Sequence, residues 1–365
     1  MSSLGTKTAT IGSRTAGAVI DAATVKRAAC EFGADLVGIA SAATLNAFPP
    51  DPRFPQTPER IAPRSKSVVV IARHIPIGAF RCKTLAPVQY LDVLVMRRMD
   101  GVAYRVAEWL ERAGFPSFVM GAQETDWNLK RGSYGFLSAR HLGVEAGLGT
   151  LGLGVSLITP QFGPRVYLTG VLTELELEPD ARITEQVCIG ESCSRCLYAC
   201  PADSVGHFKN DKARCSNFAQ ESGLSTTFRF LDRFIDASPA EKAGMVRSRD
   251  FFGCWQSVTH VAGSFGACPR CMAVCPIGDD YNAHLTDAQR EIPEKTSEKT
   301  ERARSLKEAR TGGDPVAGLN DWNVRWVGPD GYQQLLGRQL KAFREKQAAS
   351  TARDQRGDGG QNDRD

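Results

Sequence analysis

The sequence predicts a mixed α/β domain over residues 21–180, followed by a smaller cysteine-rich domain over residues 181–285. Two observations support this division. Short β-branched runs alternate with helical patterns in the first part, which is typical of a layer of strands and helices. The second part holds nine of the chain's eleven cysteines, between Cys188 and Cys275. The other segments are predicted as a flexible N-terminus (1–20), a helical extension (286–348) and a disordered tail (349–365).

The elements of the α/β domain follow from apolar spacing and from helix-ending residues. Asp21 is a favourable N-cap, and Gly33 ends the helix that it begins. The predicted elements are a helix over 21–32, strands over 36–40 and 67–72, a helix over 91–113, a strand over 115–120, a helix over 139–146, and strands over 155–159 and 165–177. We expect the last two strands to form a hairpin that leads into the cysteine-rich domain. Cys30 is predicted to be a buried small hydrophobe, and Cys82 a buried or inert thiol.

Composition and charge exclude several classes of protein. The net charge of +4 is small for 365 residues and argues against a nucleic-acid or membrane partner. No apolar run reaches the roughly 20 residues that a membrane span needs. Residues 1–17 lack a twin-arginine pair and a long apolar core, so we expect no export signal. Eleven cysteines without export indicate a reducing cytoplasm, where thiolates stay free to bind metal.

Two cysteine runs share one ending, Cys-x2-Cys-x3-Cys-Pro. They comprise Cys193, Cys196 and Cys200-Pro201 in the first run, and Cys268, Cys271 and Cys275-Pro276 in the second. The repeated ending is typical of bacterial ferredoxins with two [4Fe–4S] clusters, in which the last cysteine of each run ligates the other run's cluster. The Cys-x2-Cys turn places two thiolates on one cubane, and the proline keeps the third away from it. The sequence therefore predicts a ferredoxin-like domain with two clusters.

Two cubane clusters need eight thiolates, so one of the nine cysteines is spare. We assign one cluster to Cys188, Cys193, Cys196 and Cys275, and the other to Cys200, Cys215, Cys268 and Cys271. Cys254, next to Trp255, is then left over. The first run opens with Cys-x4-Cys instead of Cys-x2-Cys, so replacement of Cys188 or Cys215 by Cys254 stays open.

Zinc, disulfides and purely structural clusters are less favoured roles for these cysteines. Tetrahedral zinc uses Cys-x2-Cys pairs, but the repeated Cys-Pro ending is not part of a zinc ribbon. Disulfides need an oxidising compartment, of which the sequence gives no sign. Clusters could also serve only to brace the fold, but two neighbouring clusters suit electron relay better.

A glycine-rich segment follows the predicted helix over 139–146. Gly147, Gly149 and Gly152 form a literal Gly-x-Gly-x-x-Gly. A dinucleotide-binding loop has a strand before it and a helix after it, whereas here the order is reversed. The context therefore argues against a nicotinamide cofactor. The glycines still permit the backbone to approach a planar or bulky ligand closely.

Residues 145–180 resemble the core of epoxyqueuosine reductases and are also similar to reductive dehalogenases. The resemblance extends over about residues 20–285, with specific motifs only from about 139 to 278. The resemblance is carried by Glu145-Ala-Gly-Leu-Gly-Thr-Leu-Gly-Leu-Gly, Leu157-Ile-Thr-Pro-Gln-Phe-Gly-Pro-Arg-Val-Tyr-Leu, Leu172-Thr-Glu-Leu-Glu-Leu-Glu-Pro-Asp and, among the cysteines, Lys212-Ala-Arg-Cys215. It implies a nitroreductase-like α/β domain that binds cobalamin, with two [4Fe–4S] clusters supplying electrons. In such a domain the backbone of the glycine-rich segment would lie against the corrin plane.

The resemblance also suggests a proton donor. Epoxyqueuosine reductases carry an acidic donor shortly before the Ala-Gly-Leu-Gly segment, where this chain reads Arg131-Gly-Ser-Tyr-Gly without a carboxylate. Reductive dehalogenases use a tyrosine, so the resemblance implies Tyr134 as the donor, with Lys130 or Arg131 tuning its pKa. A packed or rim aromatic is the other interpretation of Tyr134. The polar stretch over 121–138 lines a pocket or forms an exposed loop.

These features predict an enzyme that takes single electrons from a ferredoxin or flavodoxin and reduces a small organic substrate at a cobalamin. The alternative is a ferredoxin-like relay that docks onto a partner enzyme and reduces it. The α/β region of residues 21–180 is larger than a relay needs, which favours the enzyme. Epoxides, aryl halides and aryl ethers all stay open as substrates.

Overall fold

The computed structural model describes residues 20–50, 54–82, 86–129, 134–219, 224–260, 268–286, 292–312 and 324–326. The predicted flexible N-terminus up to residue 19, the predicted tail, and most of the extension beyond residue 312 lie outside these residues, as do Lys130 and Arg131. Among the described helices, none is long and apolar enough to cross a membrane.

The predicted helices and strands occur in order in the first part of the chain, with a further helix (Ala42–Ala47) and a further strand (Thr150–Leu151) that were not predicted. In chain order the elements are α1 (Ala22–Glu31), β1 (Leu36–Ser41), α2 (Ala42–Ala47), β2 (Ser67–His74), α3 (Ala86–Arg112), β3 (Ser117–Met120), α4 (Ala139–Glu145), β4 (Thr150–Leu151), β5 (Leu157–Ile158) and β6 (Val166–Thr173). Asp21 caps α1 as predicted, because its carboxylate accepts the Thr24 N–H at 2.8 Å. Gly33 follows the helix with a φ of 112°, a conformation that favours glycine.

The main sheet has the strand order β1-β2-β6-β3, and every neighbouring pair is antiparallel. Strands β2 and β3 therefore run parallel with β6 between them, and α3 connects them. Val68 and Val70 of β2 face a core shared with α4, whereas Val69 and Ile71 face a core shared with α1 and α3. Both faces of β2 are buried, which explains its unbroken apolar run. The fold is thus of the mixed α/β class, with one four-stranded sheet that has helices packed on both faces.

The predicted hairpin between residues 155–159 and 165–177 is wrong. Strand β5 pairs instead with β4, ahead of it in the chain, with Thr150 opposite Ile158. Strand β6 enters the main sheet, where Val171 lies between Val69 and Val119. The glycine-rich segment allows this tight return, because its backbone approaches β5 too closely for a side chain.

Cys30 and Cys82 are both exposed. The prediction that Cys30 is buried is therefore wrong. For Cys82 a buried position is also wrong, while an inert thiol stays a prediction. Cys30 follows the buried Ala29, and one residue rotates the side chain by about 100° around the helix, away from the core. Cys82 follows a short 3₁₀ turn, and its thiol donates to Gly78 O at 3.4 Å.

The cysteine-rich part is mostly helical. Its elements are α5 (Arg195–Tyr198), β7 (Val205–Gly206), β8 (Lys209–Asp211), α6 (Lys212–Ala219), α7 (Leu224–Asp236), α8 (Pro239–Met245), α9 (Arg249–His260), α10 (Arg270–Ala273), a π-helical turn (Tyr281–Leu285), α11 (Ser297–Gly312) and β9 (Val324–Trp326). Strand β8 pairs with β7 on one side and with β9 on the other. Helix α11 lies in the segment over 286–348 that the sequence predicts as a helical extension, but β9 in the same segment is a strand, because it pairs with β8.

Candidate metal centre

Each cysteine run folds into the same tight turn. The middle cysteine of each run lies on a one-turn helix, α5 or α10. The N–H of Cys200 donates to Leu197 O at 3.3 Å, and the N–H of Cys275 donates to Met272 O at the same distance. Equal spacing has therefore produced equal backbone hydrogen bonds, and the two one-turn helices pack against each other.

The first group of thiols surrounds Cys196. Burial raises the pKa of Cys196 far above its ordinary value, and Cys271, Cys188, Cys275 and Cys193 raise it further. Burial also raises the pKa of Cys275 to about 11, with contributions from Cys188 and Cys193. All five cysteines line one cleft. Cys275 of the second run thus lies with the cysteines of the first.

The second group surrounds Cys271, which lies between the two groups. Burial raises the pKa of Cys271, and the thiols of Cys268, Cys215 and Cys200 raise it further. Burial likewise raises the pKa of Cys268, to which Cys215 and Cys200 also contribute. Cys200 of the first run thus lies with the cysteines of the second. Each run contributes its last cysteine to the other group, while the assignment of individual ligands stays a prediction.

Cys254 is buried on α9 and is not among the largest contributors to the four shifted cysteine pKa values. Its neighbour Trp255 stacks at a tilt on Phe252, with 5.8 Å between the ring centroids. Within the described residues, no three His, Cys, Asp or Glu side chains converge closely enough to hold a single metal ion. A cubane cluster binds its thiolates at four separate iron corners, further apart than the ligands of one ion.

Two of the predicted cofactor-binding glycines lie against the chain itself. A Cβ atom at Gly147 would come within 2.4 Å of Ala181 O, and the φ of 67° there also favours glycine. A Cβ atom at Gly149 would lie 2.2 Å from Ile158 O. Packing within the chain explains both glycines, and their contact with a corrin stays a prediction.

The third glycine, Gly152, belongs to the turn that covers Cys188. A Cβ atom at Gly152 would lie 3.4 Å from Cys188 Sγ. The N–H groups of Leu153 and Gly190 donate to the same sulfur at 3.5 and 3.4 Å. The glycine-rich segment therefore contacts the first thiol group, a relation that sequence spacing alone does not reveal.

Sequence reasoning also missed an ion pair beneath the second run. Arg165 is fully buried and binds Asp280, which also accepts a hydrogen bond from His74. Burial alone would raise the pKa of Asp280, but the hydrogen bonds from Arg165 and His74 outweigh it and hold this pKa at about 2. The available signal was a charged residue immediately before a long apolar strand.

Tyr134 is 8% exposed, so its own side chain is buried. Its ring meets Phe54 edge-on, with 5.7 Å between the centroids. Its carbonyl accepts the Asp126 N–H at 2.8 Å, and the Gln56 side chain donates to Gly135 O at 2.7 Å. The backbone carbonyls of Tyr134 and of the next residue are therefore each bound by a group from another part of the chain. Its role as proton donor stays a prediction, and the two cations proposed to tune it lie outside the described residues.

Glu124 is the second functional candidate that the sequence did not assign. One carboxylate oxygen accepts the Phe136 N–H at 3.2 Å, and the other has no hydrogen-bond partner among the described residues. Burial raises the pKa of Glu124 to about 7, with further contributions from Asp100 and Asp126. The chain thus places a carboxylic acid that titrates near neutral pH in the loop that carries Tyr134.

Comparison with known proteins places this chain among reductase relatives. It is 27% identical over 261 residues to the epoxyqueuosine reductase of Bacillus subtilis, which covers 67% of this chain and 56% of that protein. It is 33% identical over 117 residues to the tetrachloroethene reductive dehalogenase of Dehalobacter restrictus, which covers 31% of this chain and 19% of that protein. No family model matches the chain.

Solved structures of both kinds of enzyme were also found in the structural comparison, with TM-scores below 0.5. A catabolic reductive dehalogenase, NpRdhA, has a TM-score of 0.46 at 16% identity and covers 79% of this chain and 36% of its own. An epoxyqueuosine reductase in complex with a modified tRNA stem loop has a TM-score of 0.42 at 20% identity and covers 86% and 78%.

The chain is a relative of reductases. More particularly, its sequence is related to epoxyqueuosine reductases and reductive dehalogenases, so the resemblance predicted from residues 145–180 is confirmed. The chain spans only about half the length of the Bacillus epoxyqueuosine reductase and about a fifth of the Dehalobacter dehalogenase.

Proposed function

We propose that this protein is an iron–sulfur reductase that passes single electrons through two [4Fe–4S] clusters to a substrate site in the α/β domain. The arrangement of the cysteines carries the proposal. Two groups of thiols, each completed by the last cysteine of the other run, match the exchange of ligands in two-cluster ferredoxins. When bound, the clusters supply one-electron transfer; the protein positions and shields them.

The raised thiol pKa values have a chemical consequence for assembly. Cys196, Cys271 and Cys275 hold their protons at neutral pH in the absence of metal, because burial disfavours their charged forms. Iron must displace these protons, since only thiolates ligate it. We therefore expect cluster assembly to release protons and to proceed faster at pH 8 than at pH 6.

Cobalamin is the proposed cofactor of the substrate site, on the sequence resemblance of residues 145–180. It would supply low-valent cobalt chemistry, while the protein would orient it and deliver a proton. Tyr134 is the proposed donor, and Glu124 fixes its loop through the hydrogen bond to Phe136. A ferredoxin or flavodoxin is the proposed external electron donor.

The test of the function begins with anaerobic reconstitution with iron, sulfide and hydroxocobalamin. We expect about eight irons and about eight sulfides for each chain, from two cubanes, together with a corrin absorption band. Turnover is then measured with reduced viologen against an organohalide, an epoxide and an epoxyqueuosine-containing tRNA stem loop. The stem loop is included because an epoxyqueuosine reductase has been solved in complex with one, so RNA is tested as a substrate although the net charge argues against it.

Two sets of variants test the residues. Tyr134→Phe should lower turnover by about 100-fold or more at unchanged iron content, because it removes the proton; full activity would end its candidacy. If Cys254→Ser loses iron and Cys215→Ser does not, the ligand assigned to Cys215 is Cys254 instead.

The alternative function is a relay that reduces a partner enzyme. Such a relay would hold eight irons but bind no corrinoid and turn over no small substrate. A reconstituted protein with full clusters, no corrin band and rapid reduction of an added redox protein would support the relay.

A further inference from the structure

The guanidinium of Arg165 lies beneath the second cysteine run. Arg165 precedes β6, and its side chain is 0% exposed. Its Nε donates to Asp280 at 2.7 Å and its Nη2 at 2.5 Å. Its Nη1 donates to Met272 O and Cys275 O at 3.0 Å each, and its Nη2 donates to Ile277 O at 2.6 Å. All five N–H donors of the guanidinium are therefore used.

The three carbonyls flank the Cys275-Pro276 bond. Proline has no N–H, so this part of the turn lacks one of the backbone donors that would otherwise hold it. Arg165 supplies donors from outside the turn and binds carbonyls on both sides of the proline. The backbone on both sides of the proposed cluster ligand Cys275 is therefore held by a side chain from outside the turn.

Arg165 is itself fixed by the α/β domain. Its carbonyl accepts the Ile75 N–H at 2.9 Å, and its own N–H donates to Phe162 O at 3.1 Å. In the same turn a Cβ atom at Gly163 would lie 2.2 Å from Ile277 O, so the two segments meet backbone to backbone. Because Arg165 is bound to the main sheet through its backbone and to the Cys275 carbonyl through its guanidinium, it fixes Cys275 relative to that sheet.

The charges around this guanidinium are nearly balanced. Asp280 carries the negative charge, and its Oδ2 also accepts from His74 Nε2 at 3.0 Å. The guanidinium is the group of this set that binds the Cys275 carbonyl directly. Reduction of an iron–sulfur cluster adds negative charge, which a buried cation and hydrogen bonds to the sulfurs both stabilise.

We propose that Arg165 is a positioning residue that fixes Cys275 and raises the reduction potential of the cluster that Cys275 ligates. This inference rests on the proposed function, because it needs a cluster at Cys275. Through Arg165, the α/β domain would not only receive electrons from this cluster but would also influence how readily the cluster is reduced.

The experiment compares anaerobically reconstituted wild type with Arg165→Met, Arg165→Lys and Asp280→Asn, by redox titration followed by electron paramagnetic resonance. The signal of the Cys275 cluster is identified as the one altered in Cys193→Ser. Arg165→Met should shift its potential to a more negative value, and Arg165→Lys should shift it less, because the charge is retained. Asp280→Asn removes a negative charge and should shift it in the opposite direction.

Lys299→Met is the matched control. Lys299 Nζ donates to Cys200 O, the equivalent carbonyl of the first run, so its loss should leave the Cys275 cluster at the wild-type potential. If Arg165→Met does not fold, the opposite shifts in Arg165→Lys and Asp280→Asn still test the proposal. Wild-type potentials in fully loaded Arg165→Lys and Asp280→Asn would overturn it. A wild type that takes up no iron would instead reject the proposed function.

Discussion

Two mostly buried carboxyl groups in different regions of this protein have opposite acid–base behaviour. Asp280, under the second cysteine run, is paired with Arg165 and His74, and its pKa lies at about 2. Glu124, in the loop of Tyr134, is bound through one oxygen to a backbone N–H, and its pKa lies at about 7. Burial acts on both, so the difference shows that a neighbouring cation decides which carboxyl stays charged.

The difference also suits the two regions to different tasks. A charged and fully paired Asp280 makes a rigid support for Cys275, which is a proposed cluster ligand. A Glu124 that titrates near neutral pH lies in the loop proposed to deliver a proton. Substitutions and changes of pH separate the two carboxyl groups experimentally.

The largest effect is expected from Arg165→Met, which leaves Asp280 buried without its main partner. We expect the free energy of unfolding of the metal-free protein to fall by about 3–5 kcal/mol, the range for breaking a buried ion pair. Urea denaturation measures it. The exposed pair of Arg304 with Glu301 is the control, and Arg304→Met should leave stability almost unchanged because water screens that pair. Equal losses of unfolding free energy in Arg165→Met and Arg304→Met would contradict the stabilising role of the Arg165–Asp280 pair.

A smaller effect is expected from lowering the pH. The pKa of Asp280 is depressed in the folded state, so its stabilisation is present above about pH 4 and is lost as the pH falls towards 2. We expect wild type to lose about 2 kcal/mol more than Asp280→Asn over this interval. Denaturation curves at pH 4, 3 and 2 provide the comparison. If wild type and Asp280→Asn lose the same free energy of unfolding, Asp280 is not stabilised as a charged partner of Arg165 and His74.

Glu124 should show the opposite pH dependence. Its pKa is raised in the folded state, so its contribution is present below about pH 4.5 and is lost as the pH rises through 7. We expect wild type to lose about 1–3 kcal/mol relative to Glu124→Gln between pH 4.5 and 8. The measurement is urea denaturation across this range. An identical slope in both proteins would show that Glu124 is charged at neutral pH.

The smallest effect is expected from Lys299→Met, which removes the cation on the first run. Lys299 contacts the carbonyls of Tyr198 and Cys200 and pairs with Asp203 at 3.3 Å. Because Asp203 is 39% exposed, it can be hydrated once its partner is lost. We expect a loss of about 1 kcal/mol in urea denaturation. A loss as large as that of Arg165→Met would mean that the two runs are anchored alike.

The sequence by itself determined the local features of this protein. The Cys-x2-Cys-x3-Cys-Pro spacing specified two equal turns, and Asp21 and Gly33 marked the ends of α1, because these features depend on neighbours a few residues away. The apolar run of β2 indicated a strand buried on both faces.

Only the tertiary structure decided which segments meet. It placed β6 in the main sheet, turned Cys30 to the surface, set Gly152 against Cys188 and carried Arg165 across to Asp280. These outcomes depend on contacts between residues far apart in the chain, and the pattern of a single segment does not contain them. The pKa values of Asp280 and Glu124 are of the same kind, because burial and neighbouring charge arise only when the chain has folded.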